Sequence, residues 1–241
     1  MALRDLTIPL DDGSVSGILL VPEGAGACYV MAHGAGAGMR HAFLEATAAA
    51  LAERGIATLR YQFPYMEQRR GRPDTPTVAM ATVRAAIGIA GAELPGLPLF
   101  AGGKSFGGRM TSELASREAL PGVLGLAFLG FPLHAPKKPD VKRSTHLFQV
   151  PIPMLFLQGT RDDLAELGRM RSVCAELNSG GKREEGRGNG SGAHATLHEV
   201  EGADHSFHVL KKSGRNDAQV LDELCDTMRQ WMSQVGANFP A

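Results

Sequence analysis

Short apolar runs alternate along this chain with longer stretches in which apolar residues recur every three to four positions. The first pattern is typical of strands, and the second of helices that cover one face of a sheet. The first two runs flank Asp11-Asp12-Gly13, which predicts a hairpin. Eight runs are predicted to be strands: residues 3–10, 15–21, 28–32, 56–61, 97–101, 123–131, 154–158 and 196–200.

Helical patterns separate the later strands. One helix carries Leu44, Ala48 and Leu51 on one face and is followed by Gly55 as a left-handed cap. Another begins at Thr75-Pro76, and further helices follow residues 101, 158 and 200. Interleaved strands and helices predict an α/β protein with one open, eight-stranded, mostly parallel sheet and helices on both faces.

Two segments depart from this alternation. Residues 133–150 are rich in Pro and Lys, which predicts a short lid-like segment at the top of the sheet instead of core. Residues 178–193 contain six glycines and five charged residues and almost nothing apolar, which predicts a flexible surface insertion. The length of 241 residues fits one domain spanning residues 1–241.

Composition narrows the range of partners. The 25 Lys and Arg residues balance the 25 Asp and Glu residues, so charge gives no reason to expect a nucleic acid or an anionic membrane as partner. The longest apolar run, residues 122–133, falls short of the roughly 20 residues that cross a bilayer, and residues 1–10 lack a signal-peptide apolar region. We therefore expect a cytoplasmic protein. Cys28, Cys174 and Cys225 form no Cys-x-x-Cys pair, so neither a disulfide framework nor a zinc site is predicted.

A Gly-x-Ser-x-Gly motif, Gly103 to Gly107, lies between a predicted strand and a predicted helix. On such a sharp turn, small residues let strand and helix approach, and the Ser105 hydroxyl is lifted clear of the sheet beside a helix N-terminus. A glycine-rich turn with a capping serine is the alternative. A phosphate-binding loop is excluded because Pro98 stands where its first glycine is required.

A nucleophilic serine needs a base, and the base needs a carboxylate that orients it. In open α/β sheets such groups follow the carboxyl ends of strands. His205 follows the last predicted strand, with His208 as its competitor, while His198 lies inside that strand. Asp162 and Asp163 follow the preceding strand. We assign Asp162 to the histidine and Asp163 to the cap of the next helix.

The order Ser105, Asp162, His205 on eight strands resembles the α/β-hydrolase superfamily, whose triad residues occur in that order. This resemblance covers nearly the whole chain. More narrowly, four motifs are similar to those of a small dienelactone-hydrolase-like group, which is itself similar to the hydrolase-like domain of a regulatory subunit of the eukaryotic NSL chromatin complex. The four motifs are residues 102–109, 131–134, 158–162 and 204–207. The insertion at 178–193 departs from the pattern of that group.

The resemblance implies a serine hydrolase that cleaves a carboxylic ester or thioester through an acyl-enzyme. Ser105 would attack, His205 would transfer the proton, and Asp162 would orient the imidazole. The backbone N–H groups of Phe106 and Ala35 would form the oxyanion hole, although a plain glycine turn is the alternative at Ala35. No metal or organic cofactor is needed. The expected partner is a small-molecule ester or thioester, and the sequence carries no signal for the oligomeric state.

Basic and aromatic residues are expected near the mouth of this site. Lys104 and Arg109 flank the serine, and His134 and Tyr65 are further candidates for substrate binding. A positive mouth would favour an anionic substrate, whereas solvated surface charge is the interpretation that we favour. Loops at the same edge add Arg69, Arg70, Arg72, Lys137 and Lys138.

Two rival functions stay open. One is a binding or scaffold module that keeps the shape of the triad without turnover, and the other is hydrolysis of a different bond, such as a peptide or carbon–carbon bond. Both are compatible with the same fold, because the fold alone does not determine the chemistry.

Overall fold

The computed structural model describes residues 1–135, 138, 140–179 and 195–237. These residues form one eight-stranded sheet with the order β1-β2-β4-β3-β5-β6-β7-β8. Strand β2 is antiparallel to both neighbours, β1 and β4, and the remaining pairs are parallel. The prediction of a mostly parallel α/β sheet is therefore confirmed. The strands are β1 (Ala2–Leu10), β2 (Gly13–Val21), β3 (Ala27–Ala32), β4 (Ile56–Tyr61), β5 (Leu99–Lys104), β6 (Val123–Leu129), β7 (Met154–Gly159) and β8 (Ala195–Val200).

Helices connect the strands at nearly the predicted positions. The α-helices are α1 (Ala42–Glu53), α2 (Pro64–Glu67), α3 (Pro76–Glu93), α4 (Phe106–Ala115), α5 (Leu167–Asn178) and α6 (Asp217–Ala237). Two 3₁₀ helices span Lys142–Gln149 and Lys211–Ser213. Among the described residues, no helix combines the length and the apolar character that crossing a bilayer demands.

Strand β3 shows how the sheet is buried on both sides. Every residue of β3 is buried. Cys28, Val30 and Ala32 belong to a core shared with α3, α4 and α5, while Tyr29 and Met31 belong to a second core shared with α1 and α6. Successive side chains of a strand point to opposite faces, so an unbroken apolar run is what a two-sided core requires.

Residues 133–150 differ from the lid-like surface segment that the sequence predicts. Leu133, Leu147 and Val150 are buried in the core beside α4 and α5. The 3₁₀ helix Lys142–Gln149 is the physical reason for the difference. Ser144, Leu147 and Val150 are buried at intervals of three residues, which is the period of a 3₁₀ helix and not of an α-helix.

Most of the predicted insertion at 178–193 lies outside the residues that the structure describes. Its first residue, Asn178, ends α5 and contacts the first residue of β8. The Asn178 side-chain amide donates to the carbonyl oxygen of Ala195 (2.9 Å) and accepts from the backbone N–H of the same residue (2.8 Å). These two bonds fix the end of α5 against the start of β8.

Candidate active site

Four loops meet where the order of the strands reverses. Strand β4 lies on one side of β3 and β5 lies on the other, so a crevice forms at the carboxyl ends of β3 and β5. His33 and Gly34 follow β3, and Ser105 follows β5. Asp162 and His205 follow β7 and β8 at the same edge. The topology therefore brings together residues that are more than 150 positions apart.

Ser105 occupies a strained turn between β5 and α4. Its φ of 48° and ψ of −111° lie in a region that non-glycine residues rarely adopt. The turn is tight because α4 packs directly on the end of β3. A Cβ on Gly107 would lie 2.6 Å from the Ala32 Cβ, and a Cβ on Gly103 would lie 2.2 Å from the Ala32 carbonyl oxygen. A larger residue at Gly107 would therefore push α4 away from β3, and one at Gly103 would push β5 away from β3.

Two hydrogen bonds connect the serine, the histidine and the aspartate. His205 Nε2 is 2.9 Å from Ser105 Oγ, and His205 Nδ1 is 2.7 Å from Asp162 Oδ2. Because the carboxylate is an acceptor, Nδ1 carries the proton and Nε2 is free to accept from the serine hydroxyl. The Asp162 side chain is 0% exposed and the His205 side chain is 23% exposed. The carboxylate is therefore shielded from solvent, while part of the imidazole is accessible to it.

Buried partners hold the Asp162 carboxylate in place. Its Oδ1 accepts from the backbone N–H of Leu164 (2.8 Å), and its Oδ2 accepts from the side-chain amide of Gln158. Gln158 is itself fixed, because its Oε1 accepts from the backbone N–H of Phe131 (3.0 Å). The prediction that Asp163 caps the next helix is wrong: α5 begins at Leu167, and Asp163 is exposed in the preceding turn.

The loop that carries His205 is fixed by Asp204. The Asp204 Oδ1 accepts from the backbone N–H groups of Ser206 (2.8 Å) and His208 (3.0 Å). These bonds hold Phe207 at a φ of 64°, in the left-handed region, with its ring buried. A loop held in this way keeps the imidazole facing Ser105 in the sharp turn between β5 and α4, which we call the elbow.

Lys104 supports the same loop from the elbow side. Its ammonium donates to the carbonyl oxygen of His205 and lies 5.3 Å from the centre of the Phe207 ring. Burial lowers the pKa of Lys104 to about 8, and the charges of Asp162 and Asp204 act in the opposite direction. The Lys104 amine, a candidate for substrate binding in the sequence, therefore contacts the loop that carries His205 at the edge of the cleft.

Two buried side chains orient the peptide bond between Gly34 and Ala35. His33 Nε2 accepts from the backbone N–H of Phe63 (3.0 Å), so the protonated Nδ1 donates to the Gly34 carbonyl oxygen (2.9 Å). The Tyr65 hydroxyl donates to the same oxygen (3.3 Å). In a trans peptide the N–H points opposite to the C=O, so the Ala35 N–H points away from these buried groups. Burial lowers the pKa of His33 to about 4, which keeps this ring neutral at pH 7.

The other residues predicted to bind substrate lie behind the site. Tyr65 is buried under the loop after β3. Arg109 forms an ion pair with Glu113 one turn further along α4. His134 is buried. Its Nδ1 is 3.0 Å from the Ala135 carbonyl oxygen, and its Nε2 accepts from the backbone N–H of Glu166 (3.4 Å). In the described part of the chain, these three side chains do not line the cleft beside the serine.

The basic residues expected at the mouth do not gather there. Arg70 forms an ion pair with the buried carboxylate of Asp74 (2.7 Å). Arg69, Arg72 and Lys138 are exposed, and Lys137 lies outside the described residues. The two remaining histidine candidates also have other partners: His208 Nδ1 is 2.6 Å from Asp217, and His198 Nε2 is 2.7 Å from Glu223.

An open cleft of about 610 Å³ adjoins Ser105. Its walls are the loop after β3, the first turns of α1 and α6, and residues 205–208. The sequence indicates the chemical groups at this edge but not the aromatic wall, because Phe43 belongs to no motif and its contact with Phe207 forms only in three dimensions. Within the described ranges, no group of three or more His, Cys, Asp or Glu side chains is arranged to hold a metal ion.

A family model described as an alpha/beta hydrolase domain matches residues 25–233. Since this match spans most of the molecule, the chain belongs to the alpha/beta hydrolase family. Its structure is similar to the dienelactone hydrolase of Anabaena variabilis ATCC 29413, with a TM-score of 0.71, 17% identity and coverage of 97% of both chains.

Two further solved structures have the same fold. An alpha-beta serine hydrolase homologue from Coxiella burnetii has a TM-score of 0.71 and 19% identity, over 94% of this chain and 98% of that chain. XC6422 from Xanthomonas campestris, a serine hydrolase without a lid, has a TM-score of 0.71 and 20% identity, over 96% and 95%. Similarity at this level establishes the fold. The resemblance to the chromatin-complex subunit stays a prediction.

Proposed function

We propose that this protein is a serine hydrolase that cleaves a carboxylic ester or thioester through an acyl-enzyme. One observation carries the proposal: Ser105, His205 and Asp162 come from three separate loops and are joined by hydrogen bonds of 2.9 and 2.7 Å beside an open cleft. A serine that only shapes a turn would not require a hydrogen-bonded imidazole, nor a buried carboxylate bound to that imidazole.

In the acylation step, the hydroxyl proton of Ser105 moves to His205 Nε2 while Oγ bonds to the carbonyl carbon of the substrate. The carbonyl oxygen becomes an oxyanion. The N–H of Ala35 and the N–H of Phe106, which is the first residue of α4 and lacks an acceptor within the helix, stabilise this charge. The intermediate then collapses, the bond to the leaving group breaks, and the alcohol or thiol takes the proton from Nε2.

Deacylation repeats these steps with water as the nucleophile. His205 takes a proton from the water molecule, the hydroxide attacks the acyl carbon, and Ser105 leaves with that proton. The Asp162 carboxylate orients His205 and stabilises the imidazolium that forms in each half-reaction. Its buried bonds to Gln158 and Leu164 keep it in position for this role.

Fluorophosphonate labelling tests the nucleophile directly. The probe is expected to form one adduct, mapped by mass spectrometry to Ser105, and Ser105→Ala is expected to abolish it. Ser105→Ala should also lower kcat for p-nitrophenyl acetate by about 10⁴-fold or more, because loss of one triad member disables the whole unit. Ser172→Ala, on the exposed side of α5, is the matched control and should retain both labelling and activity.

The same experiment separates the rival functions. A folded wild-type protein without an adduct would contradict the proposal and support the binding-module hypothesis. An adduct together with turnover of p-nitrophenyl thioacetate but not of p-nitrophenyl acetate would restrict the proposal to thioesters. Labelling without turnover of either compound would favour hydrolysis of another bond.

A further inference from the structure

The cleft beside Ser105 indicates which part of a substrate this protein recognises, and this inference rests on the proposed function. The cleft contains Ser105, His205 and Ala35, so it is continuous with the position of the reacting carbonyl. Any group attached to that carbonyl, on the acyl side or on the alcohol side, has this space available to it. The chemistry of the walls therefore selects the substrate.

Two aromatic rings form one wall of the cleft. Phe43, from the first turn of α1, and Phe207, from the loop after β8, have ring centres 5.7 Å apart and planes inclined by only 12°. Buried Leu44 from α1 and half-buried Leu221 from α6 also line the cleft. Walls of this kind gain free energy by removing apolar surface of a ligand from water.

The charged groups of the cleft are already engaged by protein. Lys104 turns its amine to the His205 carbonyl oxygen. His208 and Asp217 pair with each other at the exposed rim, where the pKa of Asp217 is lowered by that histidine. His41, which also lines the cleft, accepts from the backbone N–H of Phe43 through Nδ1 (3.3 Å). Among the described lining residues, Lys104 is therefore the one Lys or Arg side chain, and its amine is bound to protein. Burial of an uncompensated charge there would be costly.

We propose that the cleft binds an uncharged apolar group of the substrate ester, either an aliphatic chain or an aromatic ring. Its volume of about 610 Å³ is within the range of sites that enclose ligands much larger than an acetyl group. Each added methylene that enters the cleft is expected to raise kcat/KM about three- to fourfold until the space is filled.

Two series of esters test this preference and show which side of the ester occupies the cleft. One series varies the acyl chain of p-nitrophenyl esters from acetate to octanoate, and the other varies the alcohol of acetate esters from methyl to octyl. A rise in kcat/KM with length in either series supports the proposal. In a charge comparison, p-nitrophenyl pentanoate should be hydrolysed at least about tenfold more efficiently than the p-nitrophenyl monoester of glutarate.

A substitution that fills the cleft provides the structural control. Leu221→Trp should lower kcat/KM for the long esters about tenfold more than it lowers kcat/KM for acetate. Val78→Trp places the same side chain on an exposed position of α3, away from the cleft, and should change neither value. The proposal is contradicted if both length series are flat, if the glutarate monoester is preferred, or if both Trp variants behave alike.

A binding measurement keeps this inference separate from the proposed function. The ketone 2-decanone cannot be hydrolysed, and its binding to the Ser105→Ala variant can be followed by calorimetry. Binding that Leu221→Trp weakens about tenfold would support the cleft assignment even if no ester were hydrolysed. Hydrolysis of p-nitrophenyl acetate that depends on Ser105, without binding of the ketone, would overturn the cleft assignment and leave the proposed function intact.

Discussion

Asp162 and Asp163 are neighbours in sequence with opposite environments. Asp162 is buried and bonds to His205, Gln158 and the backbone of Leu164, whereas Asp163 is exposed in a turn. Side-chain chemistry is the same at both positions, so the contrast isolates the effect of position. A buried carboxylate facing a histidine can orient it, while an exposed one is screened by water.

Asp162→Asn should lower kcat for p-nitrophenyl acetate by about 10⁴-fold, because an amide cannot hold the imidazole in the tautomer that accepts the serine proton. Asp163→Asn is the matched control and should stay within about twofold of wild type. Steady-state kinetics, together with melting temperatures that show both variants to be folded, provide the measurement. Equal losses in the two variants would show that the assignment is wrong.

The sequence predicts that Ser105, Asp162 and His205 meet at one edge of the sheet, where the structure has them, but not which residues hold them there. Ser105, Asp162 and His205 could be found because each follows a predicted strand, and strand ends share one edge of the sheet. The role of Lys104 depends on the direction of a long side chain, and that of Tyr65 depends on the orientation of one peptide bond. Neither direction leaves a periodic signal in the sequence.

Among the elements, the 3₁₀ helix Lys142–Gln149 is joined to α4 by a half-buried imidazole. His146 Nε2 is 2.7 Å from Ser112 Oγ on α4, and Leu147 is buried beside it. Burial is the main reason that the pKa of His146 falls to about 4, and the charges of Arg109 and Arg117 lower it further. The packed helix therefore requires a neutral ring.

This requirement predicts that the packing of the 3₁₀ helix against α4 depends on pH. Between pH 6.5 and pH 4 the detached histidine binds a proton that the packed one does not, so the stability of the packed helix falls as the pH drops through this window. Amide exchange of residues 142–149, corrected for the intrinsic rate, should show less protection at pH 5 than at pH 7. In His146→Gln the difference between the two pH values should shrink, and an unchanged difference would contradict the prediction.

The sequence was less informative for irregular elements. Strands β1 to β8 could be placed to within about two residues at most ends, because their apolar runs end at Gly, Pro or charged residues. The sequence pattern places the start of α5 near residue 164, three residues before its observed start at Leu167, since half-buried Leu164 and buried Ala165 lie in the preceding turn and continue the apolar pattern. An apolar residue in a turn is indistinguishable by pattern from the first turn of a helix.

In the whole molecule, one sheet separates two cores and both cores contact the same strands. Phe100 of β5 packs against Trp231 of α6 on one face, with ring centres 5.6 Å apart, while Ala101 of the same strand belongs to the other core. Because the same strands contribute to both cores, loss of either core would expose one face of these strands to water. The two faces are therefore expected to unfold together.

Urea unfolding followed by two probes tests this coupling. Trp231 is the only tryptophan, so its fluorescence reports the packing of α6, while far-UV circular dichroism reports all helices and strands. The two curves should have the same midpoint, as expected for one cooperative unit and for the predicted single domain. Separate midpoints would show that the faces unfold independently.

The strained backbone at Ser105 has a cost that selection must tolerate. A non-glycine residue in such a conformation makes the folded state less stable by about 1–3 kcal/mol. Glycine adopts this conformation without strain, and its greater freedom in the unfolded chain lowers the stability by only about 0.5–1 kcal/mol. Glycine is thus the more stable residue for this turn. In relatives that no longer need the hydroxyl, glycine would be expected to replace serine at position 105. Relatives that keep serine there would be expected to use the hydroxyl still.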